Sequence, residues 1–137
     1  MDARIETLAK NLVNYSCKVK KGEKVYINYI GKDTEDLAKA IVREVYKAKG
    51  KPFVHYISNE VLREVLMNCD EEQLKIMAEV DAKEMSQMDC YIGVRGADNV
   101  SELSDVPQDK MKLYEKFYQT PVHHEIRVPK TRWVVLR

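Results

Sequence analysis

No apolar run in the 137-residue chain approaches the ~20 residues needed to cross a bilayer, and the N-terminus, Met1-Asp2-Ala3-Arg4-Ile5-Glu6, carries charge where a secretory signal would be apolar. Neither a membrane protein nor an exported one is expected. An excess of one charge is missing too: 23 basic and 22 acidic side chains leave a net charge of +1, which removes bulk electrostatic attraction to nucleic acid or to an anionic membrane. The one basic cluster, Lys18 to Lys24, is diluted by Gly22 and Glu23 and reads as a solvated turn. Cysteine is scarce. Cys17, Cys69 and Cys90 lie far apart with no CxxC spacing, so a zinc knuckle and a local redox motif are both excluded. Such usage fits a reducing, cytoplasmic compartment, with Cys90 as a small core residue.

The motifs of common chemistries are absent as well. There is no GxSxG elbow, no HExxH and no GxGxxG. Gly31-Lys32-Asp33-Thr34 sits where a phosphate loop would sit. However, Tyr26 stands where the first glycine is required and Asp33 would repel a phosphate, so an ordinary strand–helix turn is the better reading. His55 lies inside a strand pattern and reads as packed or hydrogen-bonded. His123-His124-Glu125 offers metal-binding atoms, but adjacent residues on a regular element point apart.

What is present is a regular alternation. Ile5, Leu8, Leu12 and Tyr15 recur at helical spacing and predict an amphipathic helix over residues 2–16. Residues 25–30, Val-Tyr-Ile-Asn-Tyr-Ile, form an almost unbroken apolar run, as in a parallel strand buried on both faces. A helix capped by Asp33 or Thr34 carries Leu37, Ile41, Val45 and Ala48 inward, with Gly50 as its stop and Pro52 preventing resumption. Residues 52–57 give a second strand. Ser58 or Asn59 and then Asp70 cap two further helices, with Val61, Leu62, Val65 and Leu66 on one and Leu74, Met77, Ala78 and Met85 on the other. Residues 90–94 give a third strand. A helix capped by Ser104 or Asp105 presents Met111, Tyr114, Phe117 and Tyr118, and residues 133–136 form a fourth strand. The expectation is an α/β fold: a mostly parallel sheet of about four or more strands with helices on both faces, preceded by an N-terminal helix, in one domain over residues 1–137. Open parallel sheets bind ligands at the carboxyl ends of their strands, which makes Lys32, Arg95, Asp98 and Asn99 the candidate cleft residues. No catalytic residue and no metal ligand emerges. The terminal strand, with nothing after it to tie it down, is expected to belong to a longer protein.

Several stretches, in order and spacing, resemble one family. Residues 8–16, followed by Val19-Lys20-Lys21-Gly22-Glu23, are similar to the opening of the thermophilic-type metallo-aminopeptidases, the aminopeptidase T and aminopeptidase S group. So are the first strand, the helix ending at Gly50, and Pro52-Phe53-Val54. Ala97-Asp98-Asn99 and Leu103-Ser104-Asp105-Val106-Pro107 resemble its middle segment, and Arg132-Trp133-Val134-Val135-Leu136 resembles the strand at which its N-terminal domain hands over to the catalytic one. The resemblance implies a peptidase that releases N-terminal amino acids from peptides. It also implies two divalent metals (cobalt, zinc or magnesium) held by a C-terminal catalytic domain missing from this chain, and a homodimer. No residue here matches the family's metal ligands. The chain is therefore expected to be inactive alone and to wall the active-site cavity. The alternatives are a free-standing module for a small anion or nucleotide, and an interaction domain using its last strand as an open edge.

Overall fold

A computed structural model describes residues 2–96 and 102–136. Helix α1 (Ala3–Asn11) begins at Asp2, whose carboxylate accepts the backbone N–H of Arg4 at 2.8 Å. Past Asn11 the turns widen through Ser16, which swings Tyr15 off the buried stripe. Tyr15 is 74% exposed, against the inward position its spacing suggested, and Val61 on a later helix likewise turns outward at 65%. The rest follows as strand and helix in alternation: β1 (Lys24–Ile30), α2 (Glu35–Lys47), β2 (Lys51–Ile57), α3 (Asn59–Asn68), α4 (Glu71–Met85), β3 (Cys90–Arg95), α5 (Gln108–Tyr114) and, after a short α6 (Val128–Lys130), β4 (Arg132–Leu136). Between α5 and α6 the helix runs on as wider π-helical turns over Glu115–Arg127, with Pro121 inside. No helix among the described residues is long and apolar enough to cross a membrane.

The four strands form one wholly parallel sheet in the order β2-β1-β3-β4. This is the expected α/β architecture. Alternation along β1 and β3 divides the interior in two. Val25 and Ile27, with Cys90, Ile92 and Val94, face α1 and α2 in one apolar cluster. Tyr26 and Tyr91 face the other way, onto Leu66 of α3, Leu74 and Ala78 of α4, and Tyr114 and Tyr118. β1 is buried along most of its length, whereas the edge strand β2 leaves Val54 and Tyr56 half exposed.

Some local signals are used differently from their sequence reading. The left-handed residue after α2 is Lys49, at φ 64°, and not Gly50. Gly50 is needed for a close approach: a Cβ there would come within 2.8 Å of Val19 Cγ1 and 3.2 Å of the Glu23 carbonyl. Thr34 does not cap α2. Its hydroxyl turns back and donates to the Gly31 carbonyl at 2.7 Å. Neither Ser104 nor Asp105 caps α5, because Pro107 takes that position. Asp105 instead receives a two-pronged hydrogen bond from Arg63 of α3, at 2.7 and 2.5 Å. Ser58 and Asp70 cap α3 and α4 as expected, accepting from Val61 and Gln73.

Candidate functional site

The chain leaves β1 for a strand on one side of it and later returns to β3 on the other. The strand order therefore switches between β1 and β3, and the crevice at their carboxyl ends is where such sheets place ligands. Two clefts open there and share Ile30 and Asn59. Lys32 lines the first, of about 330 Å³, and Arg95 lines the second, of about 350 Å³. The structure thus separates two residues the sequence placed in one cleft. Asp98 and Asn99 lie outside the described residues.

The two clefts differ in charge. Around the first, Asp33, Glu60 and Glu102 outnumber Lys32, and the Asp33 carboxylate lies against Gly31 and Gly96, where the β1 and β3 ends meet. That arrangement repels anions, as the sequence suggested. Among the described residues the second has no carboxylate in its lining. It holds Arg95 at the end of β3, and Gln119, His123 and Arg127 projecting at successive four-residue steps from the helix after α5. Tyr26, Tyr91, Tyr114 and Tyr118 form its aromatic walls.

Tyr91 organises this second cleft. Asn28 faces Gly93 directly across the β1–β3 ladder. Because Gly93 has no side chain, the Tyr91 ring lies over it; a Cβ there would meet Tyr91 Cε1 at 3.0 Å and its hydroxyl at 3.3 Å. The hydroxyl then accepts a hydrogen bond from Asn28 Nδ2 at 3.1 Å. Tyr26 stacks on the other side of the ring, with centroids 5.4 Å apart, and on His55 at 4.5 Å. His55 is itself paired with Glu84 at 2.6 Å, in line with its reading as a packed residue. The Arg127 guanidinium lies 4.8 Å from the Tyr91 ring centroid and 5.0 Å from that of Trp133 on β4, held by cation–π contacts.

Charge in this cleft is poorly compensated. Neither Arg95 nor Arg127 forms a salt bridge among the described residues. Arg127 donates its Nε–H to Nδ1 of His123 at 2.7 Å, while its Nη1 is buried without a partner among the described residues. Burial depresses the Arg127 guanidinium; Tyr91 offsets part of this and Arg95 adds to it. Burial first, then the charges of Arg127, His124 and Arg95, push His123 down to about 4. His123 is therefore neutral at pH 7, and with Nδ1 accepting from Arg127 its proton sits on Nε2. Asn28 is 7% exposed, and its Oδ1 has no partner among the described residues. Tyr118 donates to Asp81 at 2.5 Å, and burial, then this bond, raise its phenol.

Metal chemistry has no foothold among these groups. His124 faces away from His123, exposed and paired with Glu115 at 3.2 Å, as the adjacency argument required. Among the described residues no three His, Cys, Asp or Glu side chains converge as a metal ion would need. The residues present do not fit the divalent metals that the sequence resemblance implies. The cysteines hold one surprise. Cys17 and Cys90, which sequence spacing kept apart, come together behind β4: each thiol lies 3.7 Å from a backbone carbonyl of the other's neighbourhood, Cys17 Sγ from Tyr91 O and Cys90 Sγ from Cys17 O. Both are free and buried.

Of the residues in the second cleft, sequence reasoning named only Arg95 as a site residue. Two signals pointed to the others. Asn28 is the one polar residue in the apolar run of β1, and Gln119, His123 and Arg127 continue a helical stripe with polar residues.

No curated protein matches the chain. Among solved structures, wild-type AmpT from Thermus thermophilus superposes with a TM-score of 0.70 at 22% identity, over 96% of this chain and 35% of that chain, which shows a shared fold. An open conformation of 2-hydroxyisobutyryl-CoA ligase, in complex with 2-HIB-AMP and CoA, aligns over 80% of this chain and 26% of its own at 12% identity. Its TM-score of 0.34 carries no argument. This chain thus spans about a third of the AmpT chain it resembles. The sequence model of the thermophilic metalloprotease family, M29, matches residues 1–137, and the chain belongs to that family.

Proposed function

We propose that this chain is the N-terminal, non-catalytic domain of a metal-dependent aminopeptidase, a hydrolase that releases N-terminal amino acids from peptides. The observation that carries this reading is the pairing of a family match along the whole chain with a structural match to 35% of AmpT. The coverage of only 35% of the AmpT chain supports assigning the metal-dependent step to a further, C-terminal catalytic domain. On this reading the two divalent metals, cobalt, zinc or magnesium, belong to that domain. This domain shapes the cavity around the peptide and contributes to a homodimer in the cytoplasm. The direct test is hydrolysis of an aminoacyl reporter by the isolated chain with cobalt or zinc added. No turnover above the metal blank is expected; robust metal-dependent cleavage would overturn the proposal. Solution mass over a concentration series of the two-domain protein tests the dimer, and a strict monomer would remove that part.

A further inference from the structure

The geometry points to the cleft between β3 and the helix after α5 as a binding site for the α-carboxylate of an apolar amino acid, whether free or at the end of a peptide. This does not depend on the peptidase reading. Its basis is a set of polar groups left unmatched on one wall. Two arginines, Arg95 and Arg127, face the cleft with no carboxylate in its lining among the described residues, and Arg127 Nη1 is buried with no partner among them. A buried guanidinium N–H without a partner is costly, and a small anion beside it removes that cost. Guanidinium groups match a carboxylate's two oxygens.

A second, independent feature narrows the anion. The Asn28 amide, more than nine-tenths buried, lines the same cleft with an Oδ1 unpaired among the described residues, an acceptor that a fully deprotonated anion cannot satisfy. Tyr91 holds both features: its hydroxyl fixes the Asn28 amide, and its ring face fixes Arg127. A ligand bridging them needs a carboxylate and, next to it, an N–H donor. An α-amino acid has both. Inorganic phosphate at neutral pH has only a P–O–H donor and no apolar side chain for the bed beside it, and chloride has no donor at all. The remaining walls, Tyr26, Ile57, Leu62 and Leu103, offer an apolar bed for a side chain, and about 350 Å³ lies within the usual range of small-ligand sites.

The test is calorimetric titration of the chain with millimolar leucine, leucinamide, alanyl-leucine and inorganic phosphate, with backbone amide NMR to locate the site. Leucine or alanyl-leucine is expected to bind and to shift the signals of Asn28, Tyr91 and Arg127. Leucinamide, which lacks the carboxylate, is expected to bind at least ten-fold more weakly. Tighter leucine assigns the cleft to a free amino acid, and tighter dipeptide assigns it to a peptide C-terminus; either supports the inference. Arg95→Gln, which breaks no hydrogen bond to a described residue, is expected to keep the melting temperature and weaken binding at least ten-fold. The inference fails if neither carboxylate binds, if leucinamide binds as well as leucine, if phosphate binds and leucine does not, or if Arg95→Gln binds as the parent does.

Discussion

Asn28 and Gly93 stand opposite one another on neighbouring strands, and the missing side chain of Gly93 is what lets Tyr91 reach Asn28. The added methyl of Gly93→Ala would crowd the Tyr91 ring at 3.0 Å and Val135 at 3.4 Å, within a strand buried along nearly all its length. Overpacking of this kind costs about 1–3 kcal/mol. Urea denaturation of the variant should show a loss of that size, and the Asn28 side-chain amide signals should move as the bond to Tyr91 is lost. An unchanged midpoint with unchanged amide signals would contradict the packing described for the cleft.

His123 should give the chain a pH-dependent stability. Its folded-state value of about 4 lies below the ordinary value of 6.5, so between the two the unfolded chain binds a proton that the folded chain refuses. The associated stability is present above 6.5 and is lost as pH falls towards 4, by about 3 kcal/mol in all. Denaturation midpoints across that window should fall with pH, and His123→Gln should flatten the fall. An equally steep fall in the variant would assign it to the carboxylates.

Tyr118→Phe deletes the hydroxyl that donates to Asp81 at 2.5 Å. A part-buried carboxylate then loses a charge-assisted bond, at a cost of about 1–3 kcal/mol. Asp81→Asn in the same background should add little, because the two changes remove one interaction. A double-mutant cycle measures this, and strictly additive losses would mean the bond carries no energy.

Thiol reactivity checks the two apolar clusters directly. Cys17, Cys69 and Cys90 are each fully buried. Hydrogen bonding to Cys90 and then burial raise the Cys17 thiol while the same bond lowers Cys90, so it is burial that shields all three. A colorimetric thiol reagent should find no reactive thiol in the native chain and three after unfolding. Fast reaction in native buffer would show that one cluster is open.

The strands were legible because parallel strands buried on both faces spell themselves as apolar runs, and each of the four was found to within one residue. Two of the cap assignments, Ser58 and Asp70, were legible for the same local reason: a side chain serves an N–H two or three residues away. What escaped was decided by tertiary contacts. Gly50 reads as a helix stop, but its need arises from Val19, far away in sequence. Asp105 reads as a cap and is taken by Arg63 on another helix. The cleft escaped for the same reason. Lys32 and Arg95 both follow strands, yet whether they share a cavity depends on Asn28, Gln119, His123 and Arg127, which converge only once the sheet and the long helix have packed.

The alternation of β1 has a protective consequence. Val25 and Ile27 point into one cluster while Tyr26 and Asn28 point towards the cleft. A slip of one residue in the pairing would exchange the sets, driving the Asn28 amide into the apolar layer beneath α1 and α2 and turning Ile27 towards the arginines. Such a misfolded sheet loses its core and its cleft in the same step. A chain that has lost the cleft geometry through mispairing is therefore also a chain too unstable to accumulate.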